Sequence, residues 1–260
     1  MAHALGKPSL FITMTCNPYW KEITAALEPG QTWEDRADIV NRVFHLKLRA
    51  FIQDVRDGTF FKDKNSAPWK AKYIMHVVEF QKRGKPHAHI TMRLAGTEED
   101  MPKLAEAVDA LIWARIPEVD KCDCTFGAGL IGPPLPAPPG SALAPAAMCE
   151  QHRLKISVQK HLMHRCIAGV CLEKDGPRMC KRHFPKAVCE MTTQDDGGFP
   201  VYKRAAGDEN VVPYNPVMLL KYDCHINVEL CTNQWVHRYM VSTLNSSLPW
   251  PVYAFALSSP

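Results

Sequence analysis

Apolar residues recur along the chain in two patterns, strand-like runs or alternation and helical spacing, and these divide it into elements. Residues 9–15 (Ser-Leu-Phe-Ile-Thr-Met-Thr) read as a strand that stops at the turn residues Asn17 and Pro18. A stripe at helical spacing follows: Val40, Val43, Phe44, Leu48, Phe51, Ile52 and Val55. It predicts a long helix with Thr32 as N-cap, Asp35 three residues on, and Gly58 at its end. Two runs rich in β-branched and apolar residues, 73–80 and 87–94, flank the turn Lys82-Arg83-Gly84-Lys85 and predict a β-hairpin. Thr97 opens a second helix through Leu104, Val108, Leu111 and Ile112, closed by Pro117. Residues 224–231 alternate clearly, with His225, Asn227 and Glu229 on one face and Ile226, Val228 and Leu230 on the other. Asn233 caps a last helix, 234–244, which carries Trp235, His237, Arg238 and Tyr239.

The hairpin carries the chemistry. Alternation points His87 and His89 to one face while Ala88 and Ile90 point to the other, and a symmetric hairpin puts Glu79 across from His87. Two imidazoles and one carboxylate, with the remaining positions left to water or a phosphate, suit a divalent cation used for chemistry. A His-x-His on a strand is a weak signal by itself. The carboxylate on the partner strand and the basic turn strengthen it.

Composition narrows the class. A chain of 260 residues, 46% hydrophobic and 22% charged, buries a core as one large domain or one domain with insertions. No segment approaches the ~20 apolar residues of a membrane span, and Met1–Lys7 has no secretory core, so an intracellular protein without a membrane partner is expected. In that setting the 10 cysteines read as thiols or metal ligands rather than disulfides. A net charge of +4 permits nucleic-acid binding, and the charge clusters at Lys82, Arg83 and Lys85 and again at Lys181, Arg182 and Lys186. Residues 127–147, dominated by glycine, alanine and proline, read as a linker or insertion. Beyond it, His161, His164, Cys166, Cys171, Cys180, His183 and Cys189 crowd together. A tetrahedral Zn²⁺ site can be drawn from His164, Cys166, Cys171 and Cys180, although Cys166-x4-Cys171-x8-Cys180 is not a common finger spacing. Scattered structural thiols are the other reading.

Several blocks in order carry a resemblance: Phe11 to Pro18, Glu79 to His89, Phe184-Pro-Lys, Pro200 to Arg204, and Pro213-Tyr-Asn-Pro through Glu229. Together they resemble the Helitron helicase-like N-terminal domain, the Rep-type HUH endonuclease module of rolling-circle transposons. The resemblance implies an α+β fold, an antiparallel β-sheet flanked by helices, over residues 8–245. It is interrupted by the 127–147 insertion and includes a Cys/His-rich subregion at 148–190, while 246–260 is a divergent tail. It further implies Mg²⁺ or Mn²⁺ held by His87, His89 and Glu79, with Gln81 competing for the third place. Tyr239 is then the nucleophile toward single-stranded DNA, and Lys82, Arg83 and Lys85 contact its phosphates. Trp20, Trp69 and Trp235 are stacking candidates or core residues. The protein is expected in the nucleus.

The chain departs from this pattern at the nucleophile. Members of the family carry two tyrosines four apart, with a lysine before the second, whereas Ser242 and Thr243 occupy those places here. A threonine hydroxyl is far less acidic than a phenol, which counts against a two-tyrosine cycle. There is also no phosphate-cradling Gly-x-x-x-x-Gly-Lys-Ser/Thr loop, so unwinding would need a separate helicase. Three readings follow: a metal-dependent DNA endonuclease and strand-transfer domain, a catalytically inactive DNA-binding relic, and a zinc-stabilised interaction domain.

Overall fold

A computed structural model of the chain describes residues 6–61, 68–80, 84–95, 105–119, 149–167, 171–172, 179–231 and 253–256. It is an α+β fold built on one antiparallel sheet. Strands β1 (Leu10–Thr15), β2 (Ala71–Phe80), β3 (Pro86–Leu94), β6 (Ile226–Leu230) and β7 (Tyr253–Ala256) lie in the order β6-β1-β3-β2-β7, and β4 (Thr193–Gln194) pairs with β5 (Pro200–Val201) as a separate ribbon. The helices are α1 (Lys21–Thr24), α2 (Ala37–Arg56), α3 (Ala105–Leu111), α4 (Glu150–His161) and α5 (Pro216–Tyr222).

The period-2 pattern sorts the sheet into two unlike faces. Leu10, Ile12 and Met14 of β1 share one face with Ala88, Ile90 and Met92 of β3, Ile74 and Val78 of β2, and Ile226 and Val228 of β6. All are buried in one core with the α2 stripe. That stripe is the one expected from the sequence, since Val40, Val43, Phe44, Leu48, Phe51, Ile52 and Val55 are the buried residues of α2. Burying several large side chains at about 1.5–3 kcal/mol each makes this contact the principal stabilising layer.

The start of α2 differs from expectation. Thr32 N and Oγ1 both donate to Asp35 Oδ2 at 2.8 Å, closing a local turn, and Arg36 at φ −126°, ψ 55° separates that turn from a helix beginning at Ala37. Gly58 does end the helix: it takes φ +72°, and an added Cβ would lie 2.8 Å from Pro68 Cβ. The second predicted helix is described only as α3, because 96–104 lie outside the described residues.

A second, smaller core forms where α4 meets α5. Leu154, Val158 and Leu162 pack with Val211, Tyr214 and Leu219. Neither helix was apparent from the apolar pattern. The α5 start is nonetheless written in the sequence, since Asn215 Oδ1 accepts from Met218 N at 3.1 Å and Pro216 occupies the first turn. The segment Tyr253–Ala256, for which no element was expected, pairs along β2 through Tyr73↔Ala256 and His76↔Tyr253.

Candidate metal centre

The hairpin register is the one its symmetry suggests. Glu79 pairs with His87 and Val77 with His89 across β2 and β3, and β1 flanks the other side with Thr15 opposite His87 and Thr13 opposite His89. Directly opposed residues share a face, so Glu79, His87, His89, Thr13 and Thr15 all project away from α2. The two imidazoles meet edge to face with centroids 4.5 Å apart. His89 Nε2 lies 3.3 Å from Glu79 Oε2. Thr15 Oγ1 and His87 Nδ1 are hydrogen-bonded at 2.6 Å.

Burial sets the protonation of this pair. His87 is 8% exposed and His89 6%. Burial first, and then the repulsion a proton there would meet from Arg182 and from His89 or His225 once protonated, brings His87 down to about 3. Burial also lowers His89, against the opposing pull of Glu79. Both rings are therefore neutral near pH 7, the state a metal ligand must have. With Nδ1 engaged by the Thr15 hydroxyl, Nε2 is the remaining nitrogen of the His87 ring.

β6 extends the polar face beyond β1. Asn227 pairs with Thr13 and Glu229 with Phe11, while the backbone carbonyl of His225 accepts from Thr15 N at 2.9 Å. Asn227 Nδ2 donates to Glu229 Oε1 at 2.9 Å. His225 falls to about 4 through burial, His161 and Arg182. His161 Nε2 in turn lies 2.8 Å from Asp223 Oδ1. The face expected for His225, Asn227 and Glu229 is thus the face of the histidine pair. Thr15 was missed in the sequence, where a threonine ending a strand is unremarkable; its place opposite His87 was the only available signal.

Other expected site residues fall as follows. Lys85 Nζ lies 5.2 Å over the Trp33 ring. Gln81, Lys82 and Arg83 lie outside the described residues, as do Tyr239, Ser242, Thr243 and Trp235. Trp20 is core, with its indole N–H donating to Tyr222 O at 2.7 Å, so it is not a stacking platform. Trp69 is partly buried against the same core.

A second cluster draws together His164, Cys166, Cys171 and Cys180, whose ligand atoms all lie within 4.8 Å of one another. His164 Nε2 is 3.4 Å from Cys166 Sγ and 3.3 Å from Cys180 Sγ. Backbone amides face the sulfurs: Ile167 N donates to Cys171 Sγ at 3.2 Å and Arg182 N to Cys180 Sγ at 3.4 Å. Desolvation works against ionising Cys180, but the amides of Phe184 and Arg182 together with the Cys166 and Cys171 thiols outweigh it and lower its pKa. These four side chains could hold a metal ion such as zinc.

Fold and site define an α+β protein whose antiparallel sheet carries a neutral His-Ala-His pair opposite a carboxylate, beside a Cys/His cluster. Residues 1–92 match the family described as the Helitron helicase-like domain at N-terminus. That stretch holds β1, α1, α2, β2 and β3 as far as Met92, and with them Glu79, His87 and His89. Over those residues the chain is similar to the Helitron helicase-like N-terminal domain. No curated protein matches the sequence.

Proposed function

We infer that this chain is a metal-dependent single-stranded DNA endonuclease and strand-transfer domain of Helitron origin. The observation that carries the reading is the convergence of His87, His89 and Glu79, neutral imidazoles beside a carboxylate, within the matched stretch. The donor set fits a hard divalent cation: neighbouring ligands of an octahedral Mg²⁺ or Mn²⁺ stand about 3 Å apart, close to the 3.3 Å between His89 Nε2 and Glu79 Oε2. When bound, the ion would polarise the scissile phosphate and neutralise charge on the leaving oxygen. His87, His89 and Glu79 would hold it, and Thr15 would orient the His87 ring. The Tyr239 phenol loses its proton and forms an O–P bond as the P–O3′ bond breaks. The products are a 5′-phosphotyrosine and a 3′-hydroxyl that takes up a proton. Because the phosphodiester's energy is retained, rejoining needs no ATP.

For the second cluster we infer Zn²⁺. Tetrahedral arms of about 2.3 Å to sulfur and about 2.0 Å to nitrogen give ligand separations of about 3.5–3.8 Å, near the sulfur–nitrogen distances observed. DNA is the partner, a separate helicase would unwind it, and the nucleus is where it would be met. Ser242 and Thr243, in place of the second tyrosine and its preceding lysine, favour a second reading, a DNA-binding relic.

The test is incubation of the protein with labelled single-stranded oligonucleotides and Mn²⁺, followed by denaturing electrophoresis. A covalent protein–DNA band that is lost in Tyr239→Phe and in His87→Ala is expected. Retained DNA binding with no adduct across a varied oligonucleotide set would establish the relic instead.

A further inference from the structure

Cys166 stands apart from the other cysteines. Among those described it alone is exposed, whereas Cys171 is 4% and Cys180 5% exposed. Its sulfur nevertheless lies within 4.8 Å of both of theirs and of a His164 ring nitrogen. One reachable thiol is thus set against two sheltered ones, an arrangement that suits oxidation as well as metal binding.

The sheltered pair is fixed by the backbone. Leu172 and Cys180 form an antiparallel bridge, Lys181 N donates to Cys171 O at 2.7 Å, and Cys171 N donates to Ile167 O at 3.1 Å. Cys171 Sγ faces Ile167, accepting from its N–H at 3.2 Å and lying 3.7 Å from its carbonyl oxygen. Cys166 and Cys180 instead share one imidazole nitrogen, His164 Nε2, at 3.4 Å and 3.3 Å. That ring is held without help from an ion, since it stacks on Phe184 with centroids 4.2 Å apart and planes at 17°. A disulfide needs its sulfurs at about 2.05 Å, and the exposed Cys166 side chain is the one with room to swing toward Cys180.

We propose that Cys166 is a peroxide-reactive thiol, that Cys180 resolves its oxidised form, and that the resulting disulfide releases the zinc ion. The inference rests on zinc being the ion of this cluster, and it does not depend on what the protein does to DNA. Zinc holds its cysteine ligands as thiolates, the form that attacks peroxides. The Cys166 sulfur bonds to one oxygen of hydrogen peroxide as the O–O bond breaks, leaving a sulfenic acid and a hydroxide that takes up a proton. The Cys180 thiolate then attacks the Cys166 sulfur. The S–S bond forms, the S–O bond breaks, and a second hydroxide is protonated to water. Two thiolates have lost two electrons, one peroxide has become two waters with two protons, and zinc left with His164 and Cys171 alone dissociates.

The disulfide takes over from the ion as the tether between Cys166 and Cys180, so the loops stay closed while the metal is lost. His164 N still bonds Asn210 O and Lys186 N still bonds Glu209 O, both at 2.8 Å, because neither contact passes through a sulfur. The region therefore keeps its place in the fold, and reduction in the presence of zinc rebuilds the site.

The test loads the full chain with zinc, removes excess metal, and adds hydrogen peroxide beside a colorimetric zinc chelator, with an untreated control. Cysteines are then mapped by mass spectrometry. Release of the bound zinc is expected together with a Cys166–Cys180 disulfide, and dimedone present during oxidation should trap the sulfenic acid at Cys166. Dithiothreitol with added zinc should restore the metal. Cys166→His, which exchanges one zinc ligand for another, should keep its zinc under the same treatment. Zinc that survives peroxide in the wild-type chain, or that leaves while Cys166 is still reduced, overturns the proposal. A Cys166–Cys171 disulfide overturns the choice of resolving thiol, and a Cys166→His chain that loses zinc as fast as wild type overturns the role of Cys166. A chain that binds no zinc before peroxide is added overturns the zinc assignment itself, an outcome distinct from the others.

Discussion

Thr15→Val isolates a single hydrogen bond at the candidate metal centre. Valine preserves shape and strand preference while removing the hydroxyl that lies 2.6 Å from His87 Nδ1. With His87 only 8% exposed, solvent has little access to replace the lost partner. A buried polar group left unpaired costs about 1–3 kcal/mol. At about 2–4 °C per kcal/mol for a chain of this size, the unfolding midpoint should fall by roughly 2–12 °C. Metal binding should suffer separately, because the imidazole is no longer held with Nε2 free. Losing such a supporting contact typically weakens affinity about 10–100-fold, or about 1.4–2.7 kcal/mol. Calorimetric titration of Mn²⁺ into wild type, Thr15→Val, Thr15→Ser and His87→Ala measures this. Serine should bind like wild type, valine one to two decades more weakly, and His87→Ala not measurably. If Thr15→Val bound Mn²⁺ with wild-type affinity while His87→Ala did not bind, orientation of His87 by Thr15 would be refuted.

Two further predictions concern stability. His76 lies on the α2 side of the sheet, where burial, then His45 and Arg56, bring it down to about 4, whereas in the unfolded chain it takes its proton near 6.5. The unfolded state therefore binds more protons between those values, so the His76 contribution is complete above about pH 6.5 and is lost as pH falls toward 4. By about pH 5.5 the loss is about 1.4 kcal/mol. Urea midpoints at about pH 7 and about pH 5.5 should differ less in His76→Leu than in wild type, and an identical pH response would sink the assignment. Phe44→Ala removes a fully buried ring from the centre of the α2–sheet contact and should cost about 3–5 kcal/mol by the same measurement, with a loss under 1 kcal/mol contradicting the placement of that helix.

Elements with a strong period were legible in the sequence. The α2 stripe and the alternation of β1, β3 and β6 specify which side chains enter the core, because a one-residue slip would expose the whole set. The hairpin brought Glu79 opposite His87 for the same reason. The Cys/His ligands could be chosen from their crowding in sequence, yet only the tertiary fold brings Cys180 back to His164. The start of α2 was misread because Thr32 and Asp35 make a local turn identical in composition to a cap. Helices α4 and α5 escaped notice because their buried residues serve a second core assembled from distant segments. Thr15 and Arg182 act through neighbours more than seventy positions away, information that no local pattern contains.

The central place of β1 between β3 and β6 has a consequence for how the molecule comes into being. The β2–β3 hairpin is local, needing only a short turn, so Glu79, His87 and His89 can meet early in folding. Leu10↔Leu230 and Met14↔Ile226 close most of the chain into one loop, so β6 would be expected to dock late, bringing Asn227 and Glu229 with it. A nascent chain that has emerged only as far as β3 would already display the histidine pair while lacking the edge of the sheet that β6 forms. Any ability of the hairpin to hold a cation would thus precede completion of the sheet edge beside it.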